Sequence, residues 1–145
     1  ICPCHGDVLI SCSGTIGRVA AVPEGFRFHL VRSVAIVRPR PGIPPHYLEM
    51  ALQGHKSQSQ MEGLVGRTAQ GNLFQGQIRR ILIPVPPQME CERIVNSLLP
   101  INQRIHLESR LLEKYQKIKL GLMNDLLTGR VRVPTPATDS VEVAA

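Results

Sequence analysis

The chain contains no tryptophan and only five aromatic residues, two Tyr and three Phe, among 145. That scarcity removes the stacking platform on which single-stranded nucleic acids are held, so a duplex is the preferred nucleic-acid partner. Apolar runs are short as well. None approaches the roughly 18–20 residues needed to cross a bilayer, and no charged-then-apolar leader precedes Gly6, which predicts a cytoplasmic chain with no membrane association. Four cysteines, Cys2, Cys4, Cys12 and Cys91, are too few for a disulfide framework, and without a secretory signal they are expected to stay reduced. Acidic residues are in deficit, eleven against seventeen Lys and Arg, for a net charge of +6. The excess sits in residues 1–86, where nine Lys/Arg face four Asp/Glu, whereas residues 87–145 hold eight against seven. A basic half suits a polyanion through phosphate neutralisation and counterion release, although solubilising arginine explains the charge alone equally well.

What is present fits one small domain followed by an extended element. The chain starts at Ile1 rather than Met and enters strand-like sequence almost at once, so it reads as a fragment or a processed piece. Val8-Leu9-Ile10-Ser11-Cys12 is an apolar run of strand length. Ser13-Gly14-Thr15-Ile16-Gly17 then supplies a glycine-bounded turn into Arg18-Val19-Ala20-Ala21-Val22, a β-hairpin pattern. Residues 33–37 predict a further strand. Pro44-Pro45 predicts a helix start, with Tyr47, Leu48, Met50, Ala51 and Leu52 on its face, and a polar helix follows over residues 56–64. Residues 63–76 hold four glycines and read as loop; Arg79-Arg80-Ile81-Leu82-Ile83 reads as a last strand.

From Gln88 to Leu127 the apolar residues Ile94, Leu98, Ile101, Ile105, Leu111, Tyr115, Ile118, Leu122 and Leu126 recur mostly in steps of three and four, which predicts an amphipathic helix. Pro100 lacks a backbone donor and suits a first helical position, so two helices are expected, over residues 88–98 and 101–127. Glu108 interrupts the stripe, and antiparallel pairing with another helix is favoured over a long zipper. The pairing residues are Ile101, Ile105, Leu111, Tyr115, Ile118, Leu122 and Leu126. Thr128-Gly129 ends the pattern before Arg130-Val131-Arg132-Val133, which reads as a short basic strand, and residues 134–145 read as a disordered tail.

Enzymatic readings find little support. Cys2-Pro3-Cys4-His5 offers zinc-ligand types, but the spacing is tight and no second pair follows, so no metal and no cofactor are expected. Gly14-Thr15-Ile16-Gly17 lacks the Gly-Lys-Ser/Thr of a phosphate loop. Cys12 with one of His5, His29, His46, His55 or His106 is a formal nucleophile and base, and a small cysteine hydrolase is one alternative; a cysteine inside a strand is more often core.

Gly6-Asp7-Val8-Leu9-Ile10-Ser11 followed by Ser13-Gly14-Thr15-Ile16-Gly17-Arg18 resembles the second half of a target recognition domain in specificity subunits of type I restriction-modification systems. The resemblance continues through Pro45-His46-Tyr47-Leu48, Gly66-Arg67-Thr68 and Ile83-Pro84-Val85-Pro86-Pro87-Gln88-Met89-Glu90. It ends on Gly121-Leu122-Met123-Asn124-Asp125-Leu126-Leu127-Thr128-Gly129-Arg130-Val131-Arg132-Val133. Cys91 stands where the family usually has Gln. The family carries two recognition domains and two spacer helices, so the resemblance implies a truncated specificity subunit.

The resemblance implies an α+β fold: a small, incomplete, mostly antiparallel recognition domain over 1–87, a helical spacer over 88–129 that pairs antiparallel with a partner helix, and a terminal segment over 130–145. It implies sequence-specific reading of double-stranded DNA without catalysis. The partners implied are a modification (methyltransferase) subunit and, through it, a restriction subunit. Self-association through the helix is also expected. Residues 101–127 extend about 40 Å as a helix, close to the roughly 34–36 Å of a DNA turn. Arginine suits phosphates and guanine, while glutamine and asparagine suit adenine. Arg67, Thr68, Gln70 and Asn72 on the glycine-rich loop are therefore the first contact candidates, against the plainer reading of a solvated turn. Thr15 and Arg18 in the hairpin, and Arg79 and Arg80, form further candidate patches. A helical interaction module that does not bind DNA is the other alternative.

Overall fold

The computed structural model describes residues 2–65 and 71–133, which divide into two compact units, residues 1–100 and 101–145. The fold is α+β. In the first unit, β1 (Val8–Ser11), β2 (Val19–Ala21) and β3 (Val34–Val37) form one antiparallel sheet in the order β2-β1-β3. Val8 lies opposite Ala21 and Val37, and Ile10 opposite Val19 and Ala35. Alternation along β1 sends Val8 and Ile10 to one face, where both are wholly buried, and leaves Leu9 and Ser11 half-buried on the other.

The buried face is covered by α1 (Pro45–Gln53) and α2 (His55–Val65), whose Leu48, Leu52 and Met61 meet Val8, Ile10, Val19 and Leu73 in the main core. Pro45 occupies the first turn of α1, where a missing N–H costs nothing, and the Pro44 carbonyl accepts from Leu48 N at 3.1 Å. Gly54 separates the two helices: its N–H donates to Met50 O (2.9 Å), and its carbonyl accepts from Ser57 N and Gln58 N (3.0 Å each). At the start of β1 the buried Asp7 carboxylate accepts from Cys4 N (2.9 Å) and from Arg38 Nε (3.1 Å). This clamp fixes the chain before β1 to the chain after β3.

Residues 79–83 are not a strand. Their neighbours supply the reason: Gln60 Nε2 donates to Leu82 O and Gln60 Oε1 accepts from Leu82 N, both at 2.9 Å. A side-chain amide thus takes the two bonds that a neighbouring strand would otherwise make. The segment read as a continuous glycine-rich loop contains a short helix, α3 (Gln75–Ile78), closed by Gln77, whose Oε1 accepts from Phe74 N (2.8 Å) and whose Nε2 donates to Leu64 O (2.5 Å).

α4 (Gln88–Leu127) is one helix with Pro100 inside it, in place of the two expected. The lost bond is tolerable because Pro100 and Asn96, whose carbonyl loses its donor, are both exposed residues, where water can replace the missing N–H. The first turns of α4 belong to the first unit: Cys91 and Val95 pack with Tyr47 in a second core, Tyr47 OH donates to Pro84 O (2.9 Å), and Cys91 Sγ donates to Pro86 O (3.4 Å). A small apolar thiol fits this closed position.

In the second unit, all described side chains from Ile101 to Val133 are exposed except the half-buried Asp125. Residues 130–133 form no strand. Gly129, at φ +72°, instead closes the helix end, with Gly129 N donating to Leu126 O (3.2 Å) and Val131 N to Asp125 O (3.0 Å). The reading of 134–145 as a disordered tail lies outside the described residues.

Ile10→Ala is expected to lower unfolding free energy in urea by about 2–5 kcal/mol, because it empties the centre of the core. Gln60→Ala should cost no more than about 1 kcal/mol, since both bonds lie at the surface, where water can take over the backbone groups of Leu82. A Gln60→Ala midpoint identical to that of the parent would show that the amide pair contributes nothing.

Candidate nucleic-acid interface

The hairpin turn over residues 13–17 is held from within and from behind. Ser11 Oγ donates to Thr15 O (2.5 Å) and accepts from Arg18 N (2.9 Å), while Gly17 N donates to Ser11 O (3.0 Å). Gly17 sits at φ +80°, a conformation that calls for glycine, and a Cβ there would lie 2.8 Å from Gln58 Oε1. Gln58 Nε2 in turn donates to Gly17 O (2.9 Å) and Leu52 O (2.7 Å), fastening the turn to α2. With its backbone so occupied, the turn presents Thr15 and Arg18 as exposed side chains.

The glycine-rich loop is anchored beside this turn. Leu73 N donates to Cys12 O at 2.9 Å, and Leu73 is buried in the main core. A Cβ at Gly71 would meet the Val65 side chain and approach Ile16 Cδ1 at 3.6 Å, so the two described ends of the loop meet against the hairpin turn. Asn72 is exposed there. Arg67, Thr68 and Gln70 lie outside the described residues. Thr15, Arg18 and Asn72 are thus carried by segments that the Cys12–Leu73 bond joins at one end of the sheet. Arg79 and Arg80, both exposed, follow α3 and are tied through its last turn, with Arg79 N donating to Gln75 O (3.2 Å) and Arg80 N to Gln77 O (2.9 Å). No hydrogen bond among the described residues links them to the hairpin turn.

Two further arginines were not picked out from sequence. Arg32 and Arg38 border a shallow hollow along β3, together with Leu30, Leu73, Phe74 and Gln75. Arg38 follows directly on β3, and the pairing of Val8 with Val37 puts it across from Asp7. The signal was therefore available once a strand was drawn at residues 33–37 and paired with β1. Because Arg38 Nε is engaged by Asp7, Arg32 is the freer cation of the two.

The enzymatic alternatives have little geometry behind them. Cys12 Sγ donates to Ile10 O (3.4 Å), and burial pushes its thiol above the ordinary range, only partly opposed by a backbone hydrogen bond from Ala35. A nucleophilic cysteine needs the opposite shift. Cys2 Sγ lies 3.3 Å from His29 Nδ1, but among the described residues no group of three or more His, Cys, Asp or Glu side chains is placed to hold a metal ion. Among the same residues no helix is long and apolar enough to cross a membrane.

The stripe on residues 101–127 has its own geometry. Ile101, Ile105, Leu111, Tyr115, Ile118, Leu122 and Leu126 are all exposed, each between 41% and 59% accessible. Tyr115, Lys119, Leu122 and Leu126 border one shallow hollow on the helix surface.

Comparison with known proteins brings the two units under one description. A family profile described as "Type I restriction modification DNA specificity domain" matches residues 1–117. A protein of Methanocaldococcus jannaschii, named as the type I restriction enzyme MjaX specificity subunit, is 29% identical over 130 residues, covering 85% of this chain and 30% of that protein. A chain of a solved structure described as concerning complex assembly and conformational transition of the type I R-M system shares the fold, with a TM-score of 0.62 and 21% identity. It covers 86% of this chain and 31% of that one, so the chain spans about a third of the length of either relative. With the family match running from the hairpin through the first turns beyond Pro100, the chain belongs to the type I restriction-modification DNA specificity domain family.

Proposed function

We propose that residues 1–100 read double-stranded DNA and that residues 101–127 act as a spacer and docking helix within a type I restriction-modification complex. The observation that carries this reading is the family match over residues 1–117. The joined hairpin turn and loop base support it, since they offer polar side chains on a rigid scaffold, the arrangement that recognition of a duplex edge demands. The chain itself is non-catalytic: methyl transfer and cleavage belong to modification and restriction subunits, and the complex works in the cytoplasm. Arg67, Thr68, Gln70 and Asn72 are the leading contacts, with Thr15 and Arg18 beside them; Arg79 and Arg80 steady the phosphates.

A filter-binding titration of the full chain across a salt series tests the reading. Retention of duplex should fall steeply with salt, and Arg67→Ala or Arg18→Ala should each reduce the slope of log K against log salt by about one. Gln70→Ala and Asn72→Ala should change which duplexes are preferred while leaving the slope intact. Salt-insensitive retention with no preference for any duplex would sink the reader role and favour an interaction module.

The hydrolase alternative makes a separate demand on Cys12. With its pKa raised by burial, the thiol stays protonated as pH rises through the ordinary thiol range, and its stabilising contribution is lost only as pH climbs toward the raised value. Alkylation by iodoacetamide at pH 8, followed by mass spectrometry, should therefore modify the exposed Cys2 and Cys4 well before Cys12. Preferential labelling of Cys12 would reopen the nucleophile reading.

A further inference from the structure

Arg32, Phe74 and Gln75 are exposed side chains at the hairpin end of the sheet, and all three line the hollow along β3, about 960 Å3 in volume. Cys12 ties that end together. Its N–H donates to Ser33 O (2.6 Å) and its carbonyl accepts from Leu73 N (2.9 Å), and Arg32 and Phe74 each stand one residue from those anchors. Asn72 and Phe74 flank the buried Leu73, so the loop base and the hollow share one fixed point.

The backbone presents these side chains rigidly. Val34 N donates to Val31 O (3.2 Å), which closes a turn with Arg32 inside it. The N–H of Phe74 donates to Gln77 Oε1 (2.8 Å), and its carbonyl accepts from Gln77 N (2.8 Å) and Ile78 N (3.0 Å). Its ring stays outside, 66% exposed in a chain with five aromatics. Gln53, Gln58, Gln60 and Gln77 all spend their amides on backbone, whereas the Gln75 amide makes no hydrogen bond among the described residues. Arg32 has no ion pair among them either.

These three chemistries match one kind of surface. The major-groove edge of an A·T pair carries the adenine N7 acceptor and N6 donor, which a glutamine amide meets with both of its groups, and the thymine methyl, which a phenyl ring covers. A G·C pair offers neither. A guanidinium alongside meets the phosphate oxygens of the flanking strand. We propose that Gln75 and Phe74 read one A·T pair through the major groove and that Arg32 holds an adjoining phosphate. This site deepens the DNA-reading function proposed above and rests on it.

Selection of bound duplexes from a randomised pool by the full chain, followed by sequencing, locates the pair, and fluorescence anisotropy with base analogues tests it. The preferred duplexes should contain an A·T pair whose preference of about tenfold is lost in Gln75→Ala while other positions keep theirs. Replacing that adenine with 7-deazaadenine, which lacks the N7 acceptor, should weaken the parent about tenfold and leave Gln75→Ala unchanged. Replacing the paired thymine with uracil removes the methyl and should weaken the parent but not Phe74→Ala. Arg32→Ala should weaken all duplexes alike and lower the salt slope by about one. The analogue losses are read on the parent itself, so no folding defect of a variant can mimic them. A parent that prefers a sequence, but whose preference survives intact in both Gln75→Ala and Phe74→Ala, overturns this site and leaves the reading function standing. A parent with no preference for any duplex overturns both.

Discussion

A three-stranded sheet with strands of three and four residues cannot satisfy its own backbone, and much of the first unit is arranged around that shortage. Both edges, β2 and β3, carry carbonyls and N–H groups without a ladder partner. A glutamine amide answers one of these edges, and other glutamines bond backbone groups outside the sheet. Gln53 Nε2 donates to Val19 O on the edge strand β2 (3.0 Å), Gln58 closes Gly17, Gln60 pairs both backbone groups of Leu82, and Gln77 bridges Phe74 and Leu64. An amide carries donor and acceptor on one planar head, as a peptide unit does, and so it can substitute for a missing strand. Each such bond contributes only about 1 kcal/mol net, but leaving the same groups buried and unpaired would cost more.

This use of glutamine bears directly on recognition. Glutamine suits adenine by a bidentate contact, yet Gln53, Gln58, Gln60 and Gln77 have their amides engaged by the protein's own backbone. Reading a base with any of them would undo part of the scaffold. Recognition is better placed on side chains whose loss leaves the fold intact, and Thr15, Arg18 and Asn72 meet that condition in the described structure: all three are exposed, and none has a side-chain hydrogen bond among the described residues. The rigid backing and the exposed tips thus fall to different residues: Ser11 and Gln58 hold the turn, and Thr15, Arg18 and Asn72 are left outside it.

Much of this was legible in the sequence because it depends on local pattern. The hairpin follows from two apolar runs around a glycine-bounded turn, α1 from its double proline, and the helix end from Gly129. Where the fold departed from the local pattern, a long-range partner decided two outcomes and solvent exposure a third. Residues 79–83 have strand-like composition, but Gln60, twenty-two positions away, takes the ladder bonds. The Asp7–Arg38 clamp is invisible until register is known, since the two residues are separated by thirty-one positions. Pro100 was read by propensity, and the exposure of its turn lets helix continue through it. The loop residues Arg67, Thr68 and Gln70 owe their standing to sequence alone.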